Sequence, residues 1–467
     1  VPPSHEVRVR RTLVLLLRFM PVLTLLTLPP AMVGAVDADW SLVWPLLPFG
    51  VLTALLSLPG LRRKPAQTAT TAENAVAVAL VFPLALLVSS GPHLTHGLSL
   101  LDAAFEGMSG VTATGLTRYA DIETQSFALK FLRAWQQWIG GYVIVTLTVA
   151  LLPRGARKAQ EMAESDVADD AGDEGQDQPD LRIRARQVSY VYIALTLICI
   201  GLTSAAGVSV ENALLHGLTS VSTAGFSPLN DSLESLPQLG TVCLMGFALL
   251  GAIALSDYLR PLLSGEGLRK LLAVAGALLA LSAAAGGLIY WMQVRASAPV
   301  ALFDAMQVAM SAQTTTGFST LSVPELEASS KAVLAVIMYI GGDVGSTAGG
   351  IKLARFVTLA LFVYALLGHR MSRQTPPGGD AGTVLRLIGF WIGLSVIGCA
   401  GLIAVGHAPL DAIFEWSSSL NNVGLTSGLS SGDMPVATRL ILTFCMWMGR
   451  VEILAVLLLF RPATWRV

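Results

Sequence analysis

Hydrophobic positions in this chain fall in long unbroken runs, not in the alternating or one-sided stripes of a soluble fold. A bilayer crossing takes about 20 residues of helix. Ten stretches are long enough: 13–36, 41–60, 73–91, 130–152, 187–207, 239–259, 268–292, 331–366, 382–406 and 437–460. The first follows Arg8, Arg10 and Arg11 as a secretory signal core would. It exceeds the length of such a core and further spans follow, so it reads as a membrane helix. The pattern predicts an all-α polytopic membrane protein.

Between the spans lies a fourfold repeat: DAAFEGMSGVTATGLT (102–117), NALLHGLTSVSTAGFS (212–227), DAMQVAMSAQTTTGFS (304–319) and DAIFEWSSSLNNVGLT (411–426). The four align without gaps. Asp102, Asn212, Asp304 and Asp411 each stand thirteen residues before Gly115, Gly225, Gly317 and Gly424. A column of Ser or Thr (109, 219, 311, 418) and a second one (117, 227, 319, 426) run through all of them. Self-similarity of this kind marks a repeated structural unit. Each unit sits between two spans, giving helix, re-entrant segment, helix four times, with an N-terminal helix pair left over.

The physics of one unit can be read from its residues. The Asp or Asn suits the N-cap of a helix. About ten helical residues follow, too few to cross a membrane but enough to reach its middle. A Thr/Ser/Asn-rich strip then leads to the glycine, which takes positive φ without steric cost. Irregular backbone survives at that depth only when it is buried in protein or lines a wet cavity. Four strips around one axis would offer a ring of carbonyls in place of a cation's hydration shell. The negative ends of the four short helices point at that ring.

Composition fits. The chain is 53% hydrophobic and only 13% charged, against about 25% charged in soluble domains. A net charge of −1 argues against a nucleic-acid binder. The four cysteines lie in apolar runs without CxxC spacing, and the six histidines lack metal-ligand spacing. Basic clusters at 8–11, 62–64, 154–158, 182–186, 260–270, 369–373 and 461–466 fall on one side of an alternating chain, so both termini are expected to be cytoplasmic. The cytoplasmic stretch 161–180 holds nine Asp or Glu and no Lys or Arg, and reads as a solvated linker.

The eighth span is interrupted by GGDVGSTAGG (341–350). Ten helical residues from 331 descend about 15 Å, close to the midplane. Arg450 lies about 20 Å along the tenth span, at a similar depth. A charge there costs on the order of 3 kcal/mol unless partnered, so Arg450 is expected to face the Gly-rich loop rather than to pair with Glu452. Lys352 is read either as a contact of that loop or as a helix-end charge. GSTAGGIK (345–352) has Ile351 where a phosphate-binding loop needs Lys, and no preceding strand. An intramembrane aspartyl protease would need a second Asp opposite Asp343, and only Asp257 is available. No enzyme class is supported. A secondary transporter with broken helices would call for inverted repeats, whereas these four run in the same sense.

With these motifs in hand, the chain resembles the Trk/Ktr/HKT superfamily of potassium transporters, most of all its bacterial TrkH-type subunits with their extra N-terminal helix pair. QQWIGGYVIVTLTVALLP (136–153), MYIGGDVGSTAGGIK (338–352) and MGRVEILAVLLLFRPATWR (448–466) add to the four segments. The resemblance implies potassium uptake across the cell membrane. It assigns a potassium-binding selectivity filter to Ala113, Thr114, Gly115, Thr223, Ala224, Gly225, Thr315, Thr316, Gly317, Asn422, Val423 and Gly424. Gly341, Gly342, Asp343, Gly345, Gly349 and Gly350 would form a gate, with Lys352 and Arg450. All four filter glycines are kept, as in potassium-selective members. Asp343 departs from a family position that is usually small and uncharged, and Ala113 and Ala224 replace Thr. The resemblance also implies a homodimer and a separate cytosolic ring of nucleotide-binding regulatory subunits. It implies no covalently bound cofactor; potassium is the substrate. Coupling to sodium or protons, and a weakly selective sodium/potassium path, remain the alternatives. The expected units are the helix pair 1–64, repeat 1 at 65–160, the linker 161–180, repeat 2 at 181–264, repeat 3 at 265–374 and repeat 4 at 375–467.

Overall fold

The computed structural model of the chain describes residues 7–62, 70–151, 177–259, 265–367, 381–430, 432–451, 456, 459–460 and 465–466. Fifteen α-helices lie among them. Six are long and apolar enough to cross a membrane: Val9–Val36, Trp40–Leu58, Ala72–Thr95, Ala185–Ala205, Gly267–Arg295 and Val384–Val405. The acidic stretch 161–180 lies outside the described residues except for its last four, which open the helix Asp177–Ala205.

The helices fall into an N-terminal pair and four similar triplets. Val9–Val36 and Trp40–Arg62 form the pair. Repeat 1 has an outer helix Thr71–Thr95, a short pore helix Leu100–Val111 and an inner helix Phe127–Leu151. The same order recurs in repeat 2 (Asp177–Ala205, Val210–Val221, Gln238–Gly251) and repeat 4 (Ala381–Val405, Pro409–Leu420, Val436–Arg450). In repeat 3, Gly265–Arg295 and Leu302–Thr314 are followed by an inner helix split into Ala328–Ile337 and Leu353–Leu366.

The N-terminal pair leans on repeat 1, where the Trp135 indole donates to the Leu25 carbonyl at 2.7 Å. Repeats 1 and 4 close against each other through a shared apolar cluster that includes Phe82, Phe105, Leu442 and Trp447. The Trp447 indole donates to the Ala79 carbonyl of the first outer helix at 2.9 Å. Two-residue strands, Val7–Arg8 and Trp465–Arg466, pair in parallel.

The outer helix of repeat 1 begins with a full capping box. Thr70 accepts from the Glu73 amide at 3.1 Å, and the Glu73 carboxylate accepts from the Thr70 amide at 2.9 Å. Glu73 also accepts from the Arg8 amide at 3.3 Å, so one buried carboxylate ties the chain's first strand to this helix. Glu73→Ala should destabilise the protein by about 1–3 kcal/mol, read as a lower thermal midpoint in detergent; an unchanged midpoint would contradict the tie.

Two sequence expectations need correcting. Asp102 and Asn212 are not N-caps; Ser99 and Ser209 cap those helices, accepting from the Asp102 and Asn212 amides at 3.3 Å each. In repeats 3 and 4 the caps are Ala301 and Ala408, without side-chain bonds. The repeated Asp or Asn stands three residues into each helix, where an acid still faces the positive helix end. The stretch 239–259 is also not one continuous helix. It stops at Gly251 and resumes as a 3₁₀ turn at Leu255–Leu259. The Gly251 and Ala252 carbonyls are taken instead by the Thr347 and Asp343 amides, at 3.1 and 2.8 Å.

Candidate functional site

Each pore helix ends on the same hydrogen bonds. The amides of Ala113, Thr223, Thr315 and Asn422 donate to the carbonyls of Gly110, Ser220, Ala312 and Ser419. One residue on, the amides of Thr114, Ala224, Thr316 and Val423 donate to Ser109, Thr219, Ser311 and Ser418, all at 2.8–2.9 Å. This geometry puts Ala113, Thr223, Thr315 and Asn422 in the left-handed region, with φ of 53°, 49°, 56° and 53°. Such values are uncommon outside glycine. Their recurrence in one column shows that every strip leaves its helix by the same turn.

The glycines then meet one another. A β-carbon built on Gly115 would lie 3.0 Å from the Gly225 nitrogen, and one on Gly225 would lie 2.9 Å from the Gly317 Cα. One on Gly317 would lie 3.2 Å from the Gly424 Cα, and one on Gly424 would lie 3.0 Å from the Gly115 Cα. The order 115, 225, 317, 424 and back to 115 is a closed ring. Gly115, Gly317 and Gly424 have φ of 103°, 81° and 94°. Gly225 is the exception to the expected positive φ, and its need for glycine comes from the crowding alone. The side chains of the strips are buried. Asn422 reaches across to repeat 1, donating to the Thr114 hydroxyl at 2.9 Å, and also donates to the Met446 carbonyl of its own repeat at 2.9 Å.

The Gly-rich loop 341–350 lies against the inner ends of these strips. Its base is closed by the Gly341 amide on the Ile351 carbonyl and the Ile351 amide on the Tyr339 carbonyl, both at 3.0 Å. The Gly349 amide donates to the Thr315 hydroxyl at 2.7 Å, and a β-carbon on Gly349 would fall on the Asn421 carbonyl. The Thr347 hydroxyl lies 3.1 Å from that of Thr223 and 3.1 Å from the Val221 carbonyl. Repeats 2, 3 and 4 therefore all touch the loop. Gly341 and Gly342 are packed against the Gly349 and Ala252 carbonyls, while Gly345 and Gly350 have φ of 84° and 70°.

Arg450 is 5% exposed and donates from Nη1 to the Thr347 carbonyl at 3.0 Å. Its Nε and Nη2 have no hydrogen-bond partner among the described residues. Glu452 lies outside the described residues. Lys352 donates to the Ala348 carbonyl, so it contacts the loop and also precedes the next helix. Asp343 makes no ion pair with Arg450; its carboxylate accepts from the Val344 amide at 2.7 Å, among Lys270, Asp257 and Lys352. Among the described residues no group of three or more His, Cys, Asp or Glu is placed to hold a metal ion.

Two sets of residues escaped the sequence reading. Five residues into the repeat stand Glu106, His216 and Glu415. Each bonds the Thr or Ser two residues past the glycine of its own repeat: Glu106 to Thr117 at 3.1 Å, His216 to Ser227 at 2.9 Å, and Glu415 to Thr426. A polar residue at fixed distance from a hydroxyl was the available signal. Inner-helix Gly140, Gly251 and Gly449 form the other set. A β-carbon on each would fall on the last pore-helix carbonyls, of Val111, Val221 and Leu420.

The chain matches the TrkH family of cation transport proteins over residues 51–264 and 294–466. It is similar to the Trk system potassium uptake protein TrkH of Halomonas elongata, with 27% identity over 95% of this chain and 96% of that one. It is 30% identical to the Trk system potassium uptake protein TrkI of the same organism, over 79% of this chain and 78% of the relative. Its fold is that of the crystal structure of the potassium transporter TrkH from Vibrio parahaemolyticus, with a TM-score of 0.81, 23% identity, and coverage of 98% of this chain and 100% of that one. The closed ring of four glycines thus sits in a multi-pass membrane protein that belongs to the TrkH family of cation transport proteins.

Proposed function

We propose that this chain carries potassium into the cell down its electrochemical gradient, through one path on the axis of the glycine ring. The observation that carries this reading is the closed order of Gly115, Gly225, Gly317 and Gly424. Carbonyls of residues 113–115, 223–225, 315–317 and 422–424 replace the ion's water shell there. Four helix C-termini converge on the ring and favour a cation over an anion. The names of the relatives, potassium uptake proteins, support potassium as the ion.

Below the ring, loop 341–350 acts as the gate. Arg450 adds a positive charge beside it, Lys352 anchors its exit, and Asp343 gives the departing ion a carboxylate neighbour. Both termini are cytoplasmic, two copies form a homodimer, and a cytosolic nucleotide-binding ring regulates the gate. Symport with sodium or protons, or weak selection of potassium over sodium, is the second reading of the same path. Flux into liposomes holding the purified chain, with potassium, sodium and proton gradients set independently, tests it. Potassium flux should follow its own gradient alone. Flux that stops without a sodium or proton gradient would replace conduction by symport.

A further inference from the structure

The inner-helix glycines give a common register for the repeats, because Gly140, Gly251 and Gly449 each face the end of a pore helix. Seven residues before them stand Arg133, Leu244 and Leu442. An arginine in repeat 1 therefore occupies a place that holds leucine in repeats 2 and 4. It is 2% exposed.

The guanidinium is directed at two neighbouring repeats. Its Nε donates to Glu106 Oε1 at 2.8 Å and its Nη2 to the Thr117 hydroxyl at 2.9 Å, both in repeat 1. Nη1 donates to the Ser227 carbonyl of repeat 2 at 3.2 Å, and Cζ lies 4.0 Å above the Phe226 ring. Thr117 and Ser227 are the same column of the repeat, two residues outside Gly115 and Gly225. One turn further along, Gln137 Oε1 accepts from the Phe226 amide at 2.9 Å. Glu106 completes the brace by accepting from the Arg118 amide at 2.7 Å.

A buried ion pair is no better for stability than well-packed apolar residues, and two of the other repeats use leucine here. What arginine adds is direction: a rigid fork with donors at fixed angles. We propose that Arg133, with Gln137, is a positioning residue for ion selection, setting the spacing of the filter strips across the seam between repeats 1 and 2. This rests on the reading of the glycine ring as a potassium filter.

The test compares potassium-over-sodium flux in liposomes for the wild-type chain and three variants, with the folded fraction of each measured by size exclusion. Arg133→Lys keeps the charge and loses the fork. Glu106→Gln combined with Arg133→Leu removes both charges. Gln137→Leu removes only the bond to Phe226. The first two should lower the flux ratio by about tenfold, the equivalent of one charge-assisted hydrogen bond. Gln137→Leu should lower it by less. A folded variant of Arg133 with wild-type selectivity overturns the proposal. If neither charge variant folds, Gln137→Leu decides by the same criterion. A wild-type chain that does not discriminate overturns the filter reading, and the proposal with it.

Discussion

Gly317→Ser is expected to abolish potassium flux, whereas Gly115→Ser should keep the flux and lose much of the preference for potassium over sodium. Both residues have positive φ, 81° and 103°, so serine is strained at either place by about 1–3 kcal/mol. The difference lies in what the new side chain meets. At Gly317 a β-carbon falls on the Val423 carbonyl, a rigid group of the neighbouring strip. At Gly115 its nearest atoms are the Gly225 nitrogen and Cα, at 3.0 and 3.1 Å, which a shift of a few tenths of an ångström relieves. The first change forces two strips apart; the second widens one seam. We expect a loss of about 100-fold or more in flux for Gly317→Ser, and a fall of about tenfold in the flux ratio for Gly115→Ser. Wild-type flux and selectivity in both folded variants would mean that the ring does not govern passage.

Removing the buried charge below the ring should act in the opposite direction. Arg450→Ala is expected to raise potassium flux by about ten- to 100-fold. At an effective dielectric of about 20, a buried unit charge beside the path opposes a cation by about 1–3 kcal/mol. The side chain's hydrogen bond to the Thr347 carbonyl also holds the loop in place. Both effects vanish together in the variant. Arg450→Lys keeps the charge and should stay slow, which separates electrostatic from steric opening. An unchanged flux in folded Arg450→Ala would leave the residue a purely structural role.

Much of this arrangement was legible in the sequence because it is repeated. The spacing of thirteen residues from acid to glycine located all four segments. The details that were missed depend on contacts between distant residues. Asp102 looks like a cap until Ser99, three residues earlier, takes that place. The helix from Gln238 stops at Gly251 because loop amides nearly a hundred residues away use its carbonyls. The left-handed turn at Ala113, Thr223, Thr315 and Asn422 has no glycine to announce it. Arg133 is a charge in a largely apolar run, and its reach to Glu106 and Ser227 appears only once the distant segments are brought together.

The central claim is that the four strips hold a dehydrated potassium ion between them. Anomalous scattering from crystals grown in rubidium, a potassium stand-in, tests it most directly. The account predicts peaks on the axis enclosed by Gly115, Gly225, Gly317 and Gly424. Bound rubidium elsewhere in the chain, with none on that axis, would contradict it.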